Sequence, residues 1–292
     1  MAVKLKKKEK TKKVDEEIVE TLPALTEADS KRKKSNDFYQ NFTSFCSLLN
    51  DSEENVKQEL YLYLIKKFMA NVGKAVVRFG DGDNKLEKIF LNCMAQGVGG
   101  VYVAPAHLPA VKKIINKNAD VDIEVVAVVD FPFGESTLKA RLNEVKDCKR
   151  ANIDGVLITM PNVLTLPDKV KEYKKQAKKL LRAFNGKKGF AFNAGDLSDQ
   201  DFSRVIKFTE KSKADYVALL FGESDYQTVK EKIEKVQTLR AKKKIFVLAN
   251  VDKEEIVKEL IKLGVDKVLT PFADDIGKNL FERYQITSIK LR

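Results

Sequence analysis

The sequence predicts a closed (β/α)8 barrel, preceded by a helical extension and a basic tail. Short, mostly β-branched apolar runs alternate with segments of helical period eight times, over about 220 residues. Near-continuous apolar strands between amphipathic helices indicate a parallel sheet that helices cover. With 43% hydrophobic residues, the chain can bury one large core. Eight units favour a closed barrel over an open doubly wound sheet.

The chain begins with a segment of different composition. Residues 1–34 carry clustered lysines around an acidic stretch, with few large apolar side chains. Such a segment buries too little surface to offset its chain entropy, so we expect a disordered basic tail. Two helices are expected within residues 35–73, the second with apolar residues at four-residue spacing from Leu60 to Phe68. We expect them to cover one end or side of the barrel, residues 74–292.

The alternation then gives eight strands and eight helices. The predicted strands are 74–79, 99–104, 123–131, 155–160, 189–193, 216–221, 244–250 and 266–272. The predicted helices are 85–95, 108–116, 138–150, 169–184, 201–212, 228–241, 253–263 and 277–284. The first strand leads into a glycine-containing turn at residues 78–83 that lacks the G-x-G-x-x-G fingerprint, which argues against a dinucleotide-binding sheet.

The formal charge of +12 raises the question of nucleic-acid binding. Only 9 of the 54 basic residues are arginine, the better reader of phosphates and base edges, so a solvated lysine surface is favoured. The tail remains a candidate tether for an acidic partner, for RNA or for an anionic membrane surface. Cys46, Cys93 and Cys148 are scattered, which predicts a reducing cytoplasm without disulfides or a cysteine metal site.

Polar residues collect at the carboxyl ends of the predicted strands, where a barrel places its chemistry. Arg78, Asp130, Asn193 and Glu223 are the candidates. Asp130 and Glu223 would serve as acid and base if burial separated their pKa values, and Arg78 would bind an anion. The alternative, which we favour, is that these residues form turns and helix caps. A single histidine, His107, excludes a Ser-His-Asp or multi-histidine site, and no metal or cofactor is expected.

Three segments resemble the deoxyribose-phosphate aldolases. G-G-V-Y-V-A-P at 99–105 with L-P-A-V-K-K at 108–113 is similar to their second βα unit. V-V-D-F-P-F-G at 128–134 is similar to the third, and N-A-G-D-L at 193–197 resembles their turn after strand five. In order and spacing the resemblance covers residues 74–275. It implies a (β/α)8 barrel and a Schiff-base aldol reaction, which requires a lysine of lowered pKa.

The resemblance also implies three central groups that this sequence lacks. Ala218 stands at the position of the reactive lysine on strand six, Val247 at that of the second lysine on strand seven, and Leu157 at that of the acid on strand four. The glycine-rich phosphate loops after strands seven and eight are replaced by N-V-D at 250–252 and T-P-F-A-D-D at 270–275. The phosphate site is therefore expected to be lost as well.

These replacements predict a degenerate aldolase homologue that has lost Schiff-base chemistry. We expect it to act as a binding or structural protein, with a small molecule or a protein at the barrel mouth. One alternative is an active lyase on a small phosphorylated sugar, with a rearranged site built from the four polar candidates. The other is a protein that associates with RNA or a membrane through its lysine-rich tail.

Overall fold

The computed structural model describes residues 54–76, 83–118, 123–166, 168–239 and 241–286. Within them, eight parallel strands pair in sequence order and the last pairs with the first, forming a closed barrel. The predicted fold class is therefore confirmed. The tail at residues 1–34 and the first helix of the predicted extension lie outside the described residues.

Strands and helices alternate along the barrel. The strands are β1 (Val72–Val76), β2 (Val101–Val103), β3 (Val125–Val129), β4 (Gly155–Thr159), β5 (Lys187–Asn193), β6 (Tyr216–Gly222), β7 (Lys244–Ala249) and β8 (Lys267–Thr270). The helices are α1 (Glu54–Met69), α2 (Asp83–Ala95), α3 (Leu108–Lys117), α4 (Leu138–Ala151), α5 (Val170–Ala183), α6 (Asp199–Glu210), α7 (Tyr226–Thr238), α8 (Glu254–Lys262) and α9 (Ala273–Arg283). Short 3-10 helices, Pro105–His107 and Asn162–Thr165, follow β2 and β4.

The first strand begins earlier than predicted. It starts at Val72 rather than at residue 74, because Val72 and Gly73 pair with Val268 and Leu269 of β8 and so help to close the barrel. Helix α1 precedes it and packs against β1 and α9. The apolar residues from Leu60 to Phe68 lie in this helix, as their four-residue spacing predicts. Among the described residues, no helix is both long enough and apolar enough to cross a membrane.

Polar caps fix where several helices begin. Thr137 accepts a hydrogen bond from the Ala140 N–H at 3.3 Å, and Asp225 accepts one from the Thr228 N–H at 2.8 Å. Ser198 caps α6 in the same way. Each cap satisfies a backbone donor that the first turn of a helix leaves free. The loops at the carboxyl ends of the strands therefore lead directly into rigid helices.

Inward-facing side chains fill the barrel in layers. Neighbouring strands are offset so that alternate strands contribute to the same layer. The register gives one middle layer of Tyr102, Leu157, Ala218 and Leu269, and another of Ala75, Val128, Ala191 and Leu248. Val126, Tyr216 and Phe246 lie below them, and Leu220 lies above. All twelve belong to one buried apolar cluster, which we call the lumen cluster.

Two glycines make room for aromatic rings in the lower part of the lumen. A Cβ on Gly189 would lie 2.3 Å from the Tyr216 ring, and a Cβ on Gly73 would lie 2.7 Å from the Tyr102 ring. The Tyr216 ring stacks on Phe246 with their centroids 4.5 Å apart. Any side chain at either glycine would displace a ring, because each ring occupies the space that the side chain would need.

Charged groups close the amino end of the barrel below these rings. Glu124 accepts hydrogen bonds from Lys187 and Lys267, each at 2.7 Å. Lys267 also donates to the Gly99 carbonyl at 3.0 Å, and its Nζ lies 5.9 Å from the centroid of the Tyr102 ring. Because the Lys267 side chain is only 12% exposed, Glu124 supplies the counter-charge that its buried ammonium needs.

Replacing Glu124 by glutamine is expected to lower the free energy of unfolding by about 2 kcal/mol at neutral pH, because Lys267 loses its counter-charge. Burial by itself raises the pKa of Glu124, but Lys267 and Lys187 outweigh it and hold that pKa below its ordinary value of 4.5. The stabilisation is therefore present above pH 4.5 and is lost as the pH falls through the lower folded-state pKa. Urea unfolding at neutral and acidic pH measures both effects.

Glu87→Gln is the matched control. The Lys117–Glu87 pair is 3.2 Å long, and its side chains are 67% and 40% exposed. Solvent screens such a pair, so a change below about 0.5 kcal/mol is expected. Equal losses in the two variants would show that Glu124 does not stabilise the amino end of the barrel.

Candidate functional site

The predicted site residues follow different strands at the carboxyl end of the barrel, which we call the mouth. Asp130 follows β3, Asn193 ends β5 and Glu223 follows β6. Arg78 lies outside the described residues. Two strands, β4 and β5, lie between Asp130 and Glu223 in the barrel order. Each also has polar partners of its own.

Asp130 holds the loop that follows β3. Its Oδ1 accepts a hydrogen bond from the Ser136 hydroxyl at 2.6 Å, and its Oδ2 accepts one from the Ser136 N–H at 3.0 Å. Its carbonyl accepts from the Gly134 N–H at 2.9 Å. Its φ of 56° lies in the left-handed region, which aspartate tolerates better than most residues. This carboxylate is therefore used to shape residues 130–137, which we call the β3 loop.

A buried arginine supports the same loop from helix α4. Arg141 is 2% exposed, and its Nε lies 3.8 Å from Asp130 Oδ2. Its guanidinium also donates to the Gln176 side chain of α5. Sequence reasoning missed this residue, although Arg141, Val145 and Cys148 recur at the spacing of one helix face. That periodicity was the available signal that Arg141 faces inward.

Glu144 completes this network beside Asp130. Its Oε2 accepts a hydrogen bond from the Asp130 N–H at 3.0 Å. Burial raises the pKa of Glu144, and the nearby Asp130 carboxylate adds to the rise, while the hydrogen bond from the Asp130 N–H and the charge of Arg141 oppose it. The network joins β3 and α4 by charge and hydrogen bonding. The polar groups of Asp130, Arg141 and Glu144 therefore interact mainly with one another.

Apolar side chains occupy the lumen where the resemblance implies ionisable groups. Leu157 of β4 and Ala218 of β6 lie in one layer, and both are completely buried within the lumen cluster. On β7, the inward-facing residues are Phe246 and Leu248. Val247 lies between them and faces outward, because successive side chains of a strand point to opposite faces. The position that the resemblance matches to the second lysine therefore faces away from the lumen, and its two inward-facing neighbours on β7 are apolar.

Glu223 and Asn193 lie at the rim of the mouth. Glu223 is exposed, and its Oε1 accepts a hydrogen bond from Asn250 Nδ2 at 3.2 Å. Asn193 is partly buried, and its carbonyl accepts a hydrogen bond from Asn162 Nδ2 at 3.0 Å. These contacts bridge β6 to β7, and β4 to β5. The rim is therefore linked mainly by uncharged amide groups.

Two polar atoms at the end of β4 are buried without partners. Thr159 Oγ1 and Asn162 Oδ1 have no hydrogen-bond partner within the part of the chain that the structure describes. Such a group forfeits the hydrogen bonds it makes to water in the unfolded chain, at a cost of about 1–3 kcal/mol. Sequence reasoning did not single out Thr159. The local sequence does not reveal that its hydroxyl will lack a hydrogen-bond partner, because this depends on how the folded chain surrounds it.

The loops after β7 and β8 bind each other. Thr270 Oγ1 donates to the Val251 carbonyl at 2.6 Å and accepts from the Phe272 N–H at 3.2 Å. Lys74, which points away from the lumen, donates to the Pro271 carbonyl at 2.5 Å and forms an ion pair with Asp274. This lysine and these backbone groups are consequently engaged where a phosphate would need free donors.

The only histidine lies beside the mouth rather than in it. His107 ends the 3-10 helix after β2 and directly precedes α3, as expected for a residue at a helix start. No group of three or more His, Cys, Asp or Glu side chains suited to a metal ion occurs within the described ranges.

The Glu144→Gln variant tests the electrostatics of the network. A raised folded-state pKa means that the folded protein binds more protons than the unfolded chain above pH 4.5, so this glutamate disfavours folding as the pH rises. Glutamine does not titrate and keeps an acceptor for the Asp130 N–H. We expect the variant to gain stability relative to the native protein between pH 4 and pH 7 in urea unfolding. Glu124→Gln should show the opposite trend, and the same trend in both would refute this assignment.

Comparison with known proteins identifies the type of barrel. No protein-family profile and no curated protein matches the chain. Among solved structures, an aldolase named QR15 superposes with a TM-score of 0.67 at 16% identity, covering 75% of this chain and 98% of its own. A Coccidioides immitis protein assigned as a deoxyribose-phosphate aldolase gives 0.66 at 10% identity, with coverage of 74% and 86%. The tetrameric deoxyribose-phosphate aldolase of Aeropyrum pernix gives 0.63 at 14%, with coverage of 73% and 91%.

These identities are low, so the likeness concerns the path of the chain and not the chemistry. It agrees with the three segments that resemble the same family in sequence. The chain has the (β/α)8 barrel fold of the deoxyribose-phosphate aldolases.

Proposed function

We propose that this chain is a binding protein built on an aldolase-type barrel, without Schiff-base chemistry. One observation carries the proposal. The inward-facing residues of β4, β6 and β7 at the height of the expected site are Leu157, Ala218, Phe246 and Leu248, all in the lumen cluster. A Schiff base needs an amine that faces the substrate and a second group that lowers its pKa. Apolar side chains supply neither.

The buried lysines that the structure describes around the barrel are engaged elsewhere. Lys74 points outward from β1 and pairs with Asp274. Lys267 faces the lumen at the amino end, where Glu124 and the Gly99 carbonyl bind it. Substrate in a barrel of this type approaches from the carboxyl end. Neither amine is therefore presented at the mouth.

Cysteine chemistry is also disfavoured. Burial raises the pKa of both Cys93 and Cys148 to about 12. Both remain thiols at neutral pH, whereas the thiolate is the nucleophile. Both are free and buried, which supports the cytoplasm as the proposed compartment. The expectation that residues 1–34 tether an acidic partner or RNA stays a separate proposal.

A rearranged lyase has less support from the contacts of its candidate residues. It would use Asp130 as acid or base, yet both oxygens of that carboxylate accept hydrogen bonds from Ser136 in the β3 loop. Glu223 would be its partner, but this side chain is exposed and bound to Asn250. General acid–base catalysis requires both groups to reach one reacting molecule. Two strands, β4 and β5, lie between them in the barrel order, so binding remains the favoured proposal.

Covalent trapping tests this function. The protein is incubated with 2-deoxyribose 5-phosphate and sodium borohydride, and intact mass and product formation are followed together. We expect no turnover and no stoichiometric single-site adduct, because in the part of the chain that the structure describes no strand lysine faces the lumen at the mouth. An active deoxyribose-phosphate aldolase treated in parallel provides the positive control. A stoichiometric adduct that peptide mapping assigns to one lysine, such as Lys74 or Lys267, would refute the proposal.

A further inference from the structure

We infer that the mouth beside β4 binds an uncharged, hydroxyl-bearing small molecule through Thr159 and Asn162. This inference rests on the proposed function, since it assigns a ligand class to the same mouth. It starts from two of the six buried side-chain atoms that have no hydrogen-bond partner within the described residues, Thr159 Oγ1 and Asn162 Oδ1. Both lie at the carboxyl end of β4, where barrels bind their ligands.

Thr159 belongs to the upper layer of the lumen. It lies two residues beyond Leu157, whose side chain faces inward, so it faces the same way. The register places it at the height of Leu220, above Ala218. Its side chain is fully buried, and its hydroxyl both donates and accepts. A ligand bound on top of the lumen cluster would therefore contact apolar side chains and one polar group, the Thr159 hydroxyl.

Asn162 is held in position for the same ligand. Its Nδ2 donates to the Asn193 carbonyl at the end of β5 at 3.0 Å, which sets its carboxamide between two strand ends. Its own carbonyl accepts from the Thr165 hydroxyl at 2.9 Å, which fixes the 3-10 turn. The remaining Oδ1 only accepts hydrogen bonds. The ligand must therefore supply a donor, and a hydroxyl group satisfies both Asn162 and Thr159.

The charge of the surrounding loops argues against an anionic ligand. The loops after β4 to β7 contain the carboxylates Asp168, Asp196, Glu223, Asp225 and Asp252. In the described parts of the same loops the cations are Lys169 and Lys253, which lie at the starts of α5 and α8. Two further cations reach these loops from helices α6 and α7: Arg204 donates to the Thr165 carbonyl at 3.4 Å, and Lys232 donates to the Leu197 carbonyl at 2.6 Å. With five carboxylates against four cations, the loops offer a phosphate no net attraction. An uncharged compound needs no such attraction and forms both hydrogen bonds.

The β3 loop covers the end of β4. A Cβ on Gly134 would lie 2.6 Å from the Thr159 carbonyl oxygen, so the loop passes directly over this residue. Phe131 on this loop packs against the lumen cluster. Phe133 is 61% exposed, and Val163 in the next loop is 45% exposed. These apolar groups suit the carbon skeleton of a small molecule, which must displace the loop to reach Thr159.

Calorimetric titration with two matched pairs tests the ligand class. The probes are glycerol with glycerol 3-phosphate, and 2-deoxyribose with 2-deoxyribose 5-phosphate. We expect saturable binding of at least one uncharged member and binding at least tenfold weaker for its phosphate ester. Saturation by neither uncharged probe, or binding of the phosphate ester equal to or tighter than that of its parent, would overturn the inference. Because no covalent step is measured, this outcome is independent of the trapping result.

Thr159→Val tests the residue, and Thr209→Val is its matched control. Thr209 is equally buried, but its hydroxyl donates to the Val205 carbonyl at 3.2 Å in α6, away from the mouth. Thr159→Val should weaken binding about tenfold or more without lowering the unfolding midpoint, because it removes a buried hydroxyl that lacks a partner. Thr209→Val should lower the midpoint and leave binding unchanged. Unchanged binding in Thr159→Val would overturn the assignment.

Discussion

Packing of the barrel lumen is the constraint on which the rest of this structure depends. Closing eight strands turns every second side chain inward, and those side chains must fill the space without unpaired charges. Here they form one apolar cluster, from Phe246 at the lower end to Leu220 near the mouth. Leu157 and Ala218, at the height of the expected chemistry, are part of that core. At the level where a Schiff-base enzyme needs ionisable groups, the side chains of the lumen therefore serve to stabilise the fold.

Several buried charges consequently lie at the two ends of the barrel or outside the sheet. At the amino end, Glu124 neutralises Lys267 beneath the aromatic rings. Near the mouth, Asp130 and Arg141 join the β3 loop to helix α4. Glu124 and Arg141 have shifted pKa values, and all four groups have the close contacts that often mark active sites, yet their partners are structural. The groups without a partner at the end of β4 are instead an amide oxygen and a hydroxyl, which suit a neutral ligand.

Hydrophobic periodicity was sufficient to predict the strands and helices. Alternation of buried β-branched runs with amphipathic segments is a local signal, and each of the eight barrel strands and the helices after them is found where it was expected, with differences at the ends of up to four residues, as at α9. The inner and outer faces of a strand were harder to predict. Val247, which the resemblance matches to the second lysine, faces outward, and a strand buried on both faces shows no alternation that would reveal this orientation.

The roles of polar residues needed the fold. Asp130 was correctly chosen as a strand-end residue, but its bonds to Ser136 depend on a loop conformation that the sequence pattern does not specify. Arg141 looked like one more surface cation until its helix face was known. The missing partner of Thr159 likewise depends on which groups the β3 loop and the neighbouring strands bring near it. Long-range contacts of this kind leave no periodic signal.

The most direct test of the account is the stability of Ala218→Leu, measured by urea unfolding beside the exposed control Ala106→Leu. If the lumen is a packed core, the larger side chain has no space, and the variant should lose about 1–3 kcal/mol while the control remains near the native value. If the lumen is instead an open catalytic pocket, the added atoms should fill it and leave stability unchanged or increased. That second result would contradict the claim that the catalytic level of the barrel has become hydrophobic core.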